Sequence, residues 1–181
     1  MRMNPGDKNC GPVALSTATG LEYEDILCRW PGGWKDATDD TGKLGIPNDT
    51  PADHFTVISE FGLPYRLVGI EKFLRGECKP GSTVVLLHLV KEPKSWWEKI
   101  VNFFKGTFSQ HWVVLEDIYF EDQLFSFDWG YNLSDGKKDI RTFDKESTRR
   151  MLLAGWPYCV YEIGIAGNKP TWFEKLFARW V

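Results

Sequence analysis

Cysteine is scarce in this sequence and oddly placed. There are four, Cys10, Cys28, Cys78 and Cys159, and no two are spaced as Cys-x-x-Cys. No histidine stands at metal-ligand spacing from any of them, so neither zinc nor any other metal or cofactor is expected. Long apolar runs are also missing. Nothing approaches the ~18 uncharged apolar residues of a membrane-crossing helix. The longest run, in STVVLLHLV, has strand length and contains a histidine. Positive charge is not in excess: 22 Lys and Arg face 25 Asp and Glu, a net −3, which argues against a nucleic-acid partner. The opening MRMNPGDKN has no apolar stretch behind its arginine, so no secretory signal is read there. The chain is therefore expected to begin in a cytoplasm, with association with a virion or a non-standard export route left open. Scattered thiols in a cytoplasm are expected to stay free.

What is present is an ordinary globular composition with an unusual share of aromatics. Residues 1–181 are 43% hydrophobic and 15% aromatic, with nine Trp, and are expected to form one domain with its own core. Pro12 suits the first turn of a helix that runs through PVALSTAT to Gly20. EYEDILCRW reads as a second helix, and TPADHFTVISEFG as a third, with Thr50 as cap and Gly62 as stop. The stretch between them, PGGWKDATDDTGKLGIPND, is rich in turn formers and reads as an exposed loop. Further on, PYRLV, STVVLLHLV, KKDIRTF and YCVYEIGI read as strands, and IEKFLRGE and DKESTRRMLLAGW as helices. QHWVVLEDIYFEDQLFSFDWG reads as a hairpin that turns near Glu121 and Asp122. Helices first and antiparallel strands afterwards imply an α+β fold, with N-terminal helices packed on a C-terminal sheet.

Cys10 opens the first helix, directly before Gly-Pro. A helix N-terminus carries partial positive charge and favours a thiolate there. Taken alone, a cysteine in that setting is more often a packing residue, and Cys28, Cys78 and Cys159 read as core thiols. Thiol catalysis needs a base and a group that orients it. Of the three histidines, His54 falls within a helix pattern and His88 within an apolar strand. His111 opens a strand, where a side chain can reach a cleft. Asp128 stands 17 residues beyond His111, near the far end of the returning hairpin strand, so the hairpin is expected to make the two neighbours. The order Cys, His, Asp is that of a thiol triad.

These residues carry a resemblance. DKNCGPVAL is similar to the Asp-Cys-Gly-Pro-x-x-Leu signature of the bacteriocin-leader (double-glycine) peptidases and their stand-alone relatives, within the papain-like cysteine peptidase superfamily. HWVVLEDIYFEDQLFSFDWG resembles that family's His-aromatic-Val-Val hairpin, which ends in an Asp at about this distance. The likeness spans about residues 4 to 165. It implies a papain-like fold and a peptidase with Cys10 as nucleophile, His111 as base and Asp128 as orienter. It implies an oxyanion donor at Asn4, where the family usually has Gln, and Asn9 stands where the family often has Asp. Trp112 and Trp129, beside the site, are expected to wall a groove for a peptide or protein substrate, or for a peptidoglycan cross-link. Two alternatives stand beside the peptidase. One is an inactive papain-fold protein with a binding or structural role. The other is a peptidoglycan endopeptidase or amidase on the same triad.

Two further segments, SWWEKIVNFF and TWFEKLFARW, align without a gap, and each begins with a capping-box pattern. They predict aromatic amphipathic helices near 95–105 and 171–181. The bland expectation is that both stripes pack on the body or on each other. The sharper one is contact with a second copy, a partner protein or a membrane surface through Trp96, Trp97, Trp172, Phe173 and Trp180.

Overall fold

The computed structural model describes residues 10–30, 34–39, 42–47, 62–89, 97, 109–131, 137–154 and 160–164. Helix α1 spans Cys10–Thr19 and α2 spans Tyr23–Cys28. Two short strands follow, β1 (Trp34–Asp39) and β2 (Gly42–Pro47). Then come β3 (Tyr65–Leu67), α3 (Ile70–Leu74), β4 (Thr83–Leu89), β5 (Ser109–Tyr119), β6 (Leu124–Tyr131), β7 (Lys138–Asp144), α4 (Lys145–Leu153) and β8 (Val160–Ile163). Six strands form one open sheet in the order β3-β8-β4-β5-β6-β7, and its neighbours run antiparallel. The class is α+β, and α1 packs chiefly on β5, with β4 and β6 beside it.

The first helix ends where the sequence says it should. Gly20 takes a left-handed φ of +73°, its N–H bonds back to the Ser16 carbonyl, and the Thr19 hydroxyl donates to the Leu15 carbonyl. Strand β4 explains the long apolar run. Val84 and Leu86 face one side of the sheet and Val85 and Leu87 the other, and all four are fully buried. On one face Trp112 stacks on Tyr161, and on the other Phe73 of α3 stacks on Phe125 and Phe127.

Two expectations are corrected. Residues 34–39 and 42–47, read as loop, form an antiparallel pair running from Trp34 opposite Pro47 to Asp39 opposite Gly42. Strand propensity is a packing preference on a pleated surface, so Gly- and Asp-rich segments can pair while looking like turns. Cys28, read as a core thiol, is exposed at the end of α2. The segment predicted as a third helix, Cys159, and the twin aromatic segments except Trp97 lie outside the described residues. No described helix is long and apolar enough to cross a membrane.

Candidate active site

Cys10 is the first residue of α1 and is buried, with 6% of its surface exposed. The backbone N–H of Trp112 reaches its sulfur, as do the N–H groups of Gly11 and of Cys10 itself. Those donors favour a thiolate, but burial outweighs them and pushes the Cys10 thiol up from its ordinary value. The helix-start effect expected from the sequence is present and is overridden by desolvation. Trp112 is the chain neighbour of His111, so α1 brings the thiol to the backbone at the start of β5.

His111 is half-buried, and its ring stacks on Trp129 with centroids 4.9 Å apart. Its Nε2 lies 3.4 Å from the Trp129 carbonyl oxygen. A proton on Nε2 makes that a long, weak hydrogen bond and leaves Nδ1 as the basic nitrogen. Burial, with a smaller contribution from Arg141, pushes the imidazole down to about 4. Arg141 sits on the Trp129 ring at 4.6 Å. Its guanidinium is also bound by the Asp139 carboxylate, at 2.7 Å from Nη2. A second cation near the indole makes a protonated His111 less favourable still.

The hairpin forms, with its turn at residues 120–123, but it does not join His111 to Asp128. Val114 pairs with Asp128, and Leu115 with Phe127. Alternation therefore puts Asp128 on the face of Val114 and Trp112, and His111 on the face of Val113 and Leu115. The Asp128 carboxylate instead accepts from the Gly130 N–H at 2.9 Å and pairs with Lys138 at 3.1 Å. Between Asp128 and Tyr131 the β6–β7 register shifts, and Gly130 has φ of +108°. Asp128 thus pins the irregularity from which the Trp129 carbonyl projects toward His111. Sequence reasoning missed this carbonyl because main-chain groups leave no residue signature. The Trp-Gly after Asp128 was the one available hint.

Trp112 is 2% and Trp129 6% exposed, so neither ring offers much surface to wall a groove. Asn4 lies outside the described residues. His88 is fully buried in β4, in keeping with a core histidine. Cys78 is pushed up to about 12 by burial and then by Glu162, which makes it a poor nucleophile. Comparisons with protein-family models, with curated proteins and with solved structures returned no match.

Proposed function

We propose that this protein is a papain-like thiol hydrolase that cleaves a peptide or amide bond through Cys10 and His111. The observation that carries the reading is the Cys10 thiol at the start of α1, held at the Trp112 N–H one residue from His111. In this scheme His111 Nδ1 takes the thiol proton as sulfur attacks the carbonyl carbon. The imidazolium then gives that proton to the departing amine, leaving an acyl-thioester on Cys10. Water attacks the thioester while His111 takes its proton, the acid leaves, and the proton returns to sulfur. The Trp129 carbonyl orients the imidazole, and Asp128 acts through the strand it pins. Backbone N–H groups at the start of α1, with the Asn4 amide, are proposed to receive the oxyanion. A peptidoglycan endopeptidase or amidase would use the same atoms on a different amide.

The second reading is a papain-fold binding or structural protein without turnover. It is favoured by the Asp128 carboxylate being engaged by Lys138 and Gly130, and by the desolvated thiol.

A peptidyl acyloxymethyl ketone separates the two, because it alkylates a cysteine that an adjacent base activates. The hydrolase reading expects a covalent adduct at Cys10, found by mass spectrometry and lost in His111→Ala. Labelling that is absent, or unchanged in His111→Ala, leaves the binding reading.

A further inference from the structure

We infer that a pocket at the turn end of the β5–β6 hairpin binds a small amphipathic carboxylate, one with a short aliphatic tail or a single aromatic ring. The pocket encloses about 340 Å³, at the small end of the ~300–1,000 Å³ usual for small-molecule sites. Leu74 and Phe125, both almost fully buried, are apolar parts of its lining, with Ile118 and Phe120 beside them. It lies at the opposite end of the hairpin from His111 and Trp129, so it is independent of the proposed hydrolase site.

Its shape depends on two left-handed backbone positions. Gly76 has φ of +75°, and a Cβ there would stand 2.5 Å from the Phe120 ring. Absence of a side chain at Gly76 is what lets Phe120 lie against it while remaining 66% exposed. Gln123 has φ of 51° without being glycine, a conformation that costs about 1 kcal/mol. Such strain gathers where the backbone serves a site.

Charge selects the head group. Arg75 and Lys145 contribute cations to the lining and Glu77 an anion. Arg75 Nε donates to Glu77 Oε1 at 2.5 Å, so that pair largely cancels itself. Lys145 makes no ion pair among the described residues. The pocket thus presents an apolar lining and one unmatched ammonium, the complement of an apolar body with one carboxylate.

The test is a two-dimensional amide NMR titration of the whole chain with octanoate, against octylamine and octanol. Octanoate should shift the amides of Arg75, Gly76 and Glu77 and of residues 120–123 saturably, and should bind at least ~10-fold tighter than octylamine. Lys145→Glu should weaken octanoate at least ~10-fold, and Phe120→Ser should weaken all three probes. Phe120 is exposed and Lys145 only half-buried, so the remaining amide resonances should keep their positions and report an intact fold. Labelling of Cys10 by the acyloxymethyl ketone should be the same in both variants and the parent. An absence of saturable shifts at these amides, equal binding of octylamine, or an unchanged Lys145→Glu affinity would each overturn the assignment.

Discussion

At the scale of the residue, the site is governed by desolvation. His111 is held to about 4, below its ordinary value of 6.5, so it is neutral over most of the working range. A folded-state value below the unfolded one means that the unfolded chain binds the proton first. Stability from this group is therefore full above about pH 6.5 and is lost as pH falls toward 4, by on the order of 3 kcal/mol. His111→Gln should flatten that acid limb in urea titrations at pH 7, 5.5 and 4. Arg141 pulls the imidazole down, so Arg141→Gln should raise its NMR titration midpoint, with Arg141→Lys nearer the parent. An unmoved midpoint would mean that burial alone sets the value. If the protein turns over substrate, the acid limb of kcat/KM should fall near pH 4 to 5 rather than near 6.5, since the base is already deprotonated above it.

At the scale of the element, local chemistry fixes ends and turns. Asp144 caps α4, its carboxylate accepting from the Ser147 N–H at 2.7 Å, and Ser147 Oγ lies 3.1 Å from the other carboxylate oxygen. Asp144→Ala should cost about 1 kcal/mol in equilibrium unfolding. In the β5–β6 turn, Gln123→Gly removes a left-handed side chain and should stabilise the fold by about 0.5–1 kcal/mol. A destabilised Gln123→Gly would show that the Gln side chain makes a contact worth more than its strain. These devices were largely readable. Asp144 stood before a helical run, and Glu121 and Asp122 sat between two alternating strands. The β1–β2 pair was not readable, because Gly and Asp weaken a strand signal that only pairing supplies.

At the scale of the whole molecule, long-range contacts tie the sheet together. Glu162 of β8 is 1% exposed, yet it is bound by Arg66 of β3, with Nη2 2.6 Å from Oε2, and by the Lys79 N–H. Arg66→Met strips a buried carboxylate of its cation. It should destabilise by about 1–3 kcal/mol, below the ~3–5 kcal/mol of a fully buried pair because Arg66 itself is partly exposed, whereas Arg66→Met with Glu162→Gln should recover much of the loss. Denaturant midpoints of the single and double variants measure this. The outer strand β7 carries Lys138, Asp139 and Arg141, charges that discourage edge-to-edge pairing. The sequence by itself determined the α+β order, the buried strand β4, the β5–β6 hairpin, and the helix that begins at Cys10, because periodicity, Pro and Gly act over a few residues. Only the tertiary structure decided which face each hairpin residue takes, since a register and its irregularities depend on all the strands together. That choice turned Asp128 toward Lys138, gave His111 a main-chain carbonyl as its partner, and buried Cys10 deeply enough that desolvation outweighs the start of its own helix.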